Sequence, residues 1–296
     1  MTNQKIDLLM RKRGTVRAAE RKDASAIEDF LSKQIKIHRH LDWLSPVEWI
    51  GQPAFLLLEC DYRLEALLTC TAEVRGIYWL RLFACDNARK LNEAFSMLCS
   101  AAQEAIRINE PDQPLIACIA SQDWLSHMLK KQGWKKAQQV IQLRWNPLRD
   151  TTDTNLLPQG ITIRLISRAD ISSITSIDQS AFDPLWQHNE QSIRRALDQS
   201  VYATLCEQDG QAVGYQISTA QPTRAHIARL AVLPQLQRRH LGMALVKDVI
   251  RHFNQSWVRE ITVNTQRDNT RSLNLYHQLG FRMTPERLDI YCFSSL

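Results

Sequence analysis

The sequence has few of the features that mark disulfide-bonded, metal-binding or membrane-spanning proteins. Its seven cysteines include no C-x-x-C pair, which argues against a disulfide framework or a cysteine-based zinc site. Its eight histidines include no H-x-x-x-H pair, so we predict no metal site. No stretch approaches the roughly 18 apolar residues that a membrane-spanning helix needs. We therefore expect a soluble protein of the reducing cytoplasm that does not bind a membrane.

Glycine and proline are also scarce, with 9 and 10 residues among 296, whereas 44% of the residues are hydrophobic. This composition is typical of a folded globular protein and not of a disordered chain. Because the length exceeds the usual size of a single core, we expect two domains of roughly 100–150 residues. The net charge of +6 permits phosphorylated ligands. Basic and aromatic residues are not interleaved as in nucleic-acid platforms, so we expect no nucleic-acid partner.

An internal repeat is visible in the sequence, with a constant offset of 147 positions. The segment TVRAAERKDASAIEDFL begins at Thr15, and the similar segment TIRLISRADISSITSID begins at Thr162. Two glycines that end predicted short helices, Gly133 and Gly280, have the same offset. Two distant pairs with one offset indicate a duplicated fold. We expect a monomer whose two halves form an intrachain pseudo-dimer.

Both halves show the same order of predicted elements: a helix, a meander of three strands, a second helix, a strand, a short helix and a last strand. In the second half the meander reads VYATLCE, AVGYQIS and HIARLAVL, and the helix after it has an apolar residue at every fourth position. A polar segment at about 146–160 is the predicted linker. We therefore predict an α/β protein with domains 1–150 and 151–296, each a mixed, mostly antiparallel sheet flanked by helices.

The most specific local pattern is the turn that leads into the second helix of the second half. It reads Arg239-His240-Leu241-Gly242-Met243-Ala244 and follows Arg238. The first N–H groups of a helix lack intrachain partners and attract anions such as phosphate. Gly242 and the small Ala244 leave room for a close approach, and the arginines add charge-assisted contacts. The turn therefore predicts a site for a pyrophosphate.

This turn fits the pattern Q/R-x-x-G-x-G/A, and together with LAVLP before it and DNTRSLNLYHQLGF after it, the second half resembles the GCN5-related N-acetyltransferases (the GNAT superfamily). The resemblance covers about Ile161 to Phe293 and extends weakly to the first half, so it implies two tandem GNAT-like domains. It implies acetyl-CoA as co-substrate and an N-acetyltransferase that acts on a primary amine. The acceptor, a small molecule or a peptide N-terminus, stays open because acceptor loops vary in this fold.

The resemblance also implies which residues hold acetyl-CoA. The strand before the turn would bind the pantetheine arm through backbone groups, which such strands expose where they bulge and splay from a neighbour. The turn would bind the pyrophosphate, and an asparagine on the short helix would contact the cofactor. The predicted cofactor-binding residues are Leu230, Ala231, Val232, Gln237, Arg238, Arg239, His240, Leu241, Gly242, Met243, Ala244 and Asn269.

The catalytic residues also depend on the resemblance. It implies that Tyr276 is the general acid, and a phenol of pKa about 10 can protonate a thiolate of pKa about 8.5. In some relatives the strand that corresponds to EITVNT carries a glutamate base. This chain has Thr262 or Val263 at that position, so His226 is the nearest titratable substitute. Asp183 is a candidate for holding the amine. The structural alternatives are a core tyrosine, an exposed strand histidine and a loop-capping aspartate.

The first half departs from these patterns. Shifted by the same offset, the motif residues correspond to Asn92, Phe95, Met97, Gln122 and Leu129. Phe95 and Met97 would close the approach to phosphate, and Leu129 cannot donate a proton, so we predict a degenerate copy. Its tryptophans Trp43 and Trp49 are expected either as core anchors or as a wall of the substrate site.

Two functions follow from the sequence. The first is an acetyl-CoA-dependent N-acetyltransferase with one working site. The second is a non-catalytic acyl-CoA-binding sensor or interaction module, and the intact Tyr276 argues against it.

Overall fold

The computed structural model describes residues 14–40, 44–110, 114–146, 159–254 and 257–294. The chain forms two compact units, which we call the first unit (Met1–Ala137 with Asp289–Leu296) and the second unit (Gln138–Leu288). Each unit has a mixed, mostly antiparallel sheet with flanking helices, which confirms the predicted α/β class. The predicted linker lies almost wholly outside the described residues, and the predicted division near residue 150 stays a prediction.

The sheet of the first unit has the strand order β1-β3-β4-β5-β6-β13, with β2 paired to β5. Its strands are β1 (Thr15–Ala18), β2 (Ile37–Arg39), β3 (Ala54–Cys60), β4 (Arg63–Val74), β5 (Ile77–Cys85), β6 (Leu115–Ala120) and the end of β13 (Arg282–Ser294). Its helices are α1 (Ala24–Lys33), α2 (Leu91–Asn109) and α3 (Asp123–Lys131). The end of β13 pairs antiparallel with β6, from Asp289 opposite Ala120 to Ser294 opposite Leu115.

The sheet of the second unit has the strand order β13-β7-β12-β11-β10-β9-β8. Its strands are β7 (Lys135–Trp145, from Gln138 onwards), β8 (Ile161–Leu165), β9 (Tyr202–Gln208), β10 (Gln211–Gln221), β11 (Arg224–Val232), β12 (Glu260–Gln266) and the start of β13. Its helices are α4 (Ile171–Ala181), α5 (Glu190–Asp198), α6 (Leu241–Asn254) and α7 (Thr270–Gln278). The second unit therefore begins within β7 and ends within β13.

The offset of the sequence repeat holds in the structure. Helices α1 and α4 begin at Ala24 and Ile171, and strands β5 and β11 begin at Ile77 and Arg224. In each unit the strand that ends the antiparallel meander runs parallel to the next strand in the sheet, β5 to β6 and β11 to β12. The two halves of the sequence therefore build the same arrangement of strands.

Helix α6 shows how the sequence pattern becomes packing. Its apolar residues are buried on one side, as the spacing predicts, and its last turn exposes Arg251 and His252. The buried side lies against β9, β10 and β11. Burying a leucine, valine or phenylalanine side chain contributes roughly 1.5–3 kcal/mol. This face therefore fixes α6, and with it the turn at its N-terminus, on the sheet.

Candidate functional site

Strands β11 and β12 separate within the sheet of the second unit. Their parallel pairing ends at Ile227 opposite Val263, although β12 continues to Gln266 in register with β7. Just beyond this point the register between β10 and β11 shifts, because Ala228 is an extra residue in β11. From Ala228 to Val232, one edge of β11 has no strand partner among the described residues. Backbone N–H and C=O groups on this edge are therefore available to a ligand, except the Val232 carbonyl, which accepts a hydrogen bond from Gln237 Nε2.

A groove of about 660 Å³ opens at this edge. The end of α4, the separated part of β11, the turn before α6 and one face of α7 enclose it. The residues that line it are Ala181, Phe182, Leu230, Ala231, Val232, Gln237, Arg238, His240, Leu241, Gly242, Met243, Asn269, Arg271, Ser272, Asn274, Leu275 and Gln278.

Ten of the twelve predicted cofactor-binding residues line this groove. The other two do not: Arg239 is exposed to solvent, and Ala244 is buried in the first turn of α6. Residues 230–243 are close in sequence, but Asn269 reaches the groove only because α7 packs beside the turn. The structure thus gathers these residues at one place, and their binding of acetyl-CoA stays a prediction.

The turn before α6 holds two residues other than glycine in the left-handed conformation, Arg238 with φ of 64° and His240 with φ of 61°. This conformation is uncommon for residues with side chains and occurs most often at functional sites. The first helical hydrogen bond runs from the Ala244 N–H to the His240 carbonyl at 2.9 Å. The N–H groups of Leu241 and Gly242 therefore lie before the first helical donor, as in sites that bind anions.

Gly242 is not required by the fold. Its φ is not positive, and a Cβ there would lie 3.5 Å from Leu275 Cδ2 and 3.9 Å from Val232 Cγ2, which are ordinary contact distances. A glycine within a helix is less favourable than alanine by roughly 0.5–1 kcal/mol. Both neighbouring side chains line the groove. The glycine is therefore better explained by a ligand that approaches the turn closely than by packing.

Two positively charged side chains lie at the turn end of the groove, one from the turn and one from α7. Arg238 and Arg271 line the groove, and Arg271 Nη1 donates to Gln237 Oε1 at 3.2 Å. Gln237 Nε2 in turn donates to the Val232 carbonyl at 3.2 Å. One glutamine side chain thus connects β11, the turn and α7 at the end of the groove that suits an anion.

Seven lining residues were not predicted from the sequence. Five of them, Arg271, Ser272, Asn274, Leu275 and Gln278, lie on α7, and most of these recur every three or four residues, the spacing of one helix face. That spacing, counted from Asn269, is a signal that could have found them. Asn269 itself caps α7, since its Oδ1 accepts the Ser272 N–H at 3.1 Å, and its amide nitrogen remains as a donor. No local signal points to Ala181 and Phe182, which lie at the end of a different helix, far before the turn in the sequence.

Tyr276 lies on α7 but points into the core. Only 3% of its surface is exposed, and its ring lies 5.4 Å from that of Phe281, measured between centroids. Burial raises its pKa, so the phenol keeps its proton at neutral pH. Tyr276 is not among the residues that line the groove, although its neighbour Leu275 is. Its role as general acid stays a prediction.

His226 lies on β11 in register with Thr262, one residue before the pairing of β11 and β12 ends. Its Nδ1 is 2.8 Å from the Thr262 hydroxyl, which donates its single proton to the Ala225 carbonyl at 3.2 Å. The hydroxyl therefore accepts from Nδ1–H, which leaves the lone pair on Nε2. Desolvation lowers the pKa of His226 to about 4, so the ring is neutral at pH 7. His226 does not line the groove, and its role as base stays a prediction.

Residues 182–188, which we call the α4–α5 segment, bound one side of the groove through Phe182. Asp183 is exposed at the start of a short 3-10 turn, Pro184–Trp186, and its carbonyl accepts the Trp186 N–H at 2.8 Å. The Trp186 indole donates to Gln138 Oε1 on β7 at 2.7 Å. The candidate amine-binding residue therefore lies on a segment that side chains tie to the sheet.

In the first unit the corresponding strand edge is covered. The parallel pairing of β5 with β6 ends at Trp79, and Arg81 is the extra residue opposite β4. Strand β2 then pairs antiparallel with β5 over Leu82–Ala84. These positions correspond to Arg229–Ala231 of β11.

The turn that precedes α6 has no equivalent in the first unit. Helix α2 begins at Leu91, so Asn92 is helical, whereas the corresponding Arg239 belongs to the turn. Phe95 and Leu129 are fully buried in one core. Met97 packs against that core, and Gln122 immediately precedes α3 without a capping hydrogen bond from its side chain. Trp49 is buried in a second core, and Trp43 lies outside the described residues.

Two further classes of feature are metal-binding clusters and membrane-spanning helices. Within residues 14–40, 44–110, 114–146, 159–254 and 257–294, no group of three or more histidine, cysteine or acidic residues could hold a metal ion. No helix in this part of the chain is both long and apolar enough to span a bilayer.

Comparison with known proteins adds two findings. Residues 171–281 match the family model described as Acetyltransferase (GNAT) family. Similar solved structures include a GCN5-related N-acetyltransferase from Sphaerobacter thermophilus, with 17% identity, a TM-score of 0.60 and coverage of 95% of this chain and 96% of that chain. They also include a tandem GNAT protein from the clavulanic acid biosynthesis pathway, in a structure without AcCoA, with 13% identity, a TM-score of 0.61 and coverage of 95% and 98%. A search of curated proteins found no match.

Proposed function

We propose that the protein is an acetyl-CoA-dependent N-acetyltransferase with one working site, because residues 171–281 match the GNAT family model and the chain has the fold of tandem GNAT proteins. That site is the groove of the second unit. The observation that carries the proposal is the combination of an unpaired strand edge with a left-handed turn at a helix N-terminus, both lining one groove.

The groove fits the parts of acetyl-CoA, which would supply an acetyl group as a thioester. The turn, with Arg238 and the N–H groups around Gly242, suits the pyrophosphate. The edge of β11 from Leu230 to Val232 suits the amides of the pantetheine arm, because an unpaired strand edge offers both donors and acceptors. The space beside Gly242 that a Cβ would fill supports the same placement.

The catalytic groups would act on protons. Tyr276 keeps its phenolic proton at neutral pH because burial raises its pKa, which is the state that a general acid needs. His226 is neutral with its lone pair on Nε2, which is the state that accepts a proton from an amine, and its lowered pKa makes it a weaker base than an ordinary histidine. The acceptor would be a primary amine of a small molecule or of a peptide N-terminus, and it would meet the donor beside the α4–α5 segment.

One observation favours the second function, a non-catalytic acyl-CoA-binding module. Neither Tyr276 nor His226 lines the groove, so both need a water molecule or a small movement to reach a ligand. The two functions differ in turnover. A sensor binds acetyl-CoA without releasing free thiol in the presence of an amine, whereas the enzyme releases thiol in proportion to the amine that is acetylated.

The test uses the full chain. Calorimetry is expected to show one acetyl-CoA bound per chain, and a thiol-release assay with spermidine, glucosamine and a tripeptide with a free N-terminus is expected to show turnover with at least one amine. Binding without turnover on any amine would favour the sensor. Absence of binding would contradict both functions, and two molecules bound per chain would contradict the single working site.

A further inference from the structure

A buried ion pair in the second unit lies next to the groove. Asp178, on α4, is fully buried, and it accepts two hydrogen bonds from Arg229, Nε to Oδ2 at 2.7 Å and Nη2 to Oδ1 at 2.9 Å. The Tyr215 hydroxyl donates to the same Oδ2. Burial and the Asp178 carboxylate raise the pKa of Tyr215 well above its usual range, so the phenol keeps the proton that it donates. We call these three residues the buried triad.

The first unit has leucines in place of the buried triad. Leu31 and Leu82 are the repeat counterparts of Asp178 and Arg229, and Leu67 pairs with Ala84 as Tyr215 pairs with Ala231. All three leucines are buried in one core. Taking charges out of water costs free energy that a well-packed apolar set avoids. The stability of the fold therefore does not explain the buried triad.

The buried triad also holds the α4–α5 segment. Asp178 Oδ1 accepts the His188 N–H at 2.7 Å, and Arg229 donates to the Trp186 carbonyl. The guanidinium carbon of Arg229 lies 3.7 Å from the centre of the Phe182 ring, in a cation–π contact. Two side chains thus fix the segment at three points, and one of those points, Phe182, lines the groove.

The first unit attaches the corresponding residues in a different way. There they form β2, which pairs with β5 through the backbone and so occupies the edge of that strand. In the second unit Pro184–Trp186 take their place, and the side chain of Arg229 holds them. Leu230 and Ala231 keep an edge without a strand partner in the part of the chain that the structure describes. Attachment through a side chain leaves this backbone available to a ligand.

We propose that Arg229 is a positioning residue: with Asp178 and Tyr215 it holds the α4–α5 segment beside the groove, so that the segment forms the acceptor-side wall while the edge of β11 stays open. The identity of the two ligands rests on the proposed function. The attachment itself does not, because it consists of contacts within the protein.

Hydrogen–deuterium exchange on the full chain tests the attachment. The main variant, D178L/Y215L/R229L, introduces the leucines of the first unit and leaves no buried charge without a partner. A matched control, T204L/Q216L/S218C, replaces a second set of buried polar residues in the same sheet with the residues of the first unit that occupy the corresponding register positions. We expect exchange of residues 183–188 to be at least about tenfold faster in the main variant and unchanged in the control.

Ligand measurements then separate positioning from a purely structural role. For D178L/Y215L/R229L we expect a Kd for acetyl-CoA within about threefold of wild type and a KM for the best amine of the panel raised at least about tenfold. Arg229→Lys should give a KM for the amine between those of wild type and D178L/Y215L/R229L. An ammonium can pair with Asp178, but it lacks the planar fork with which the guanidinium also donates to the Trp186 carbonyl.

Two results would overturn the proposal: exchange of residues 183–188 that is unchanged or slower in D178L/Y215L/R229L, or an equal increase in the control variant. An unchanged KM for the amine would overturn the acceptor-side role. If wild type acetylates no amine of the panel, the proposed function fails, and hydrogen exchange still decides whether the buried triad positions the segment.

Discussion

In the first unit the separated part of β5 carries a strand, β2, whereas the separated part of β11 in the second unit carries none among the described residues. Both strands leave their parallel neighbour after a similar length and both contain an extra residue at the corresponding position, Arg81 and Ala228. The geometry that opens a ligand edge is therefore common to both halves of the repeat. What differs is whether the chain itself uses the opened edge.

The helices that follow β5 and β11, α2 and α6, also differ between the two units. In the first unit α2 begins at Leu91, and helical residues stand where the second unit has the left-handed Arg238 and His240. Phe95 fills the position of Gly242 and is fully buried. A longer helix and a larger side chain thus stand in the first unit where the second has the turn that we propose binds an anion, which supports the proposal that the first unit is a degenerate copy.

The largest expected effect concerns Tyr276, the proposed proton donor, whose repeat counterpart in the first unit is Leu129. Tyr276→Phe keeps the packing on Phe281 and removes the phenolic proton, so kcat with an amine of the panel should fall by about 10²–10⁴-fold with little change in the KM for acetyl-CoA. The matched control is Tyr291→Phe, a fully buried tyrosine of the first unit whose hydroxyl has no hydrogen-bond partner among the described residues. Equal kcat for wild type and Tyr276→Phe would reduce Tyr276 to a packing residue.

The next effect concerns the turn. Gly242→Val introduces a larger side chain at the position where the first unit has Phe95. It should raise the Kd for acetyl-CoA at least about tenfold, which corresponds to about 1.4 kcal/mol. Gly242→Ala adds a Cβ at ordinary contact distances and should weaken binding less. Calorimetry measures both, and thermal unfolding checks that both variants fold. An unchanged Kd for the valine variant would show that the turn does not hold the ligand.

A smaller effect compares one histidine from each unit, the buried His38 and the half-buried His226. Burial lowers the pKa of His38 and of His226 to about 4, whereas an unfolded histidine titrates near 6.5. Between these values the unfolded chain binds more protons, so the free energy of unfolding falls as the pH drops from about 6.5 towards 4. We expect a loss of about 1–2 kcal/mol per histidine between pH 7 and pH 5.

Urea unfolding at the two pH values measures this loss. His38→Gln and His226→Gln should each remove one part of the pH dependence, because glutamine does not titrate. His38→Gln also keeps a donor for the Leu80 carbonyl, to which His38 Nε2 lies at 3.0 Å. Equal pH dependence in wild type and both variants would mean that neither ring is kept neutral by burial.

The fold and the position of the groove could be predicted from local signals. The repeat spacing, the apolar face of α6 and the glycine between two arginines and a helix are all visible within short windows of sequence. Together with the resemblance to the GNAT superfamily, these signals named ten of the residues that line the groove, and the binding of acetyl-CoA by these residues stays a prediction. Such signals have a limit, because periodicity shows which face of a helix or strand is apolar but does not show which segment pairs with the edge of a strand.

The remaining features depend on contacts between distant residues. Asp178 and Arg229 are 51 positions apart, and an isolated aspartate in a helix is usually a surface residue. The pairing of β2 with β5 joins residues that are far apart in the sequence, and three strand residues give no clear alternation. The left-handed Arg238 and His240 carry no sequence signal either, because glycine is the residue that normally marks this conformation.

One ion network is present in both units. It therefore belongs to the fold that the two units share and not to the proposed ligand site of the second unit. In the first unit Arg17 Nη1 lies 2.7 Å from Asp23 Oδ2, and its Nη2 lies 2.6 Å from Glu59 Oε1. In the second unit Arg164, the repeat counterpart of Arg17, makes the same two kinds of contact at 2.8 and 2.7 Å, with Asp170 and Glu207. None of these side chains lines the groove.

The smallest expected effect therefore belongs to this shared network. The side chains of Arg17 and Arg164 are 32% and 42% exposed, whereas those of Asp23 and Asp170 are 10% and 13% exposed, so solvent screens each ion pair mainly from the arginine side. Arg17→Met and Arg164→Met should each lower the free energy of unfolding by at most about 1 kcal/mol, with a similar loss in both units. The Kd for acetyl-CoA should not change in either variant, in contrast to Gly242→Val. A Kd raised about tenfold by Arg164→Met alone would show that the network of the second unit supports the ligand site, and that the two units differ in more than the strand edge, the turn and the buried triad.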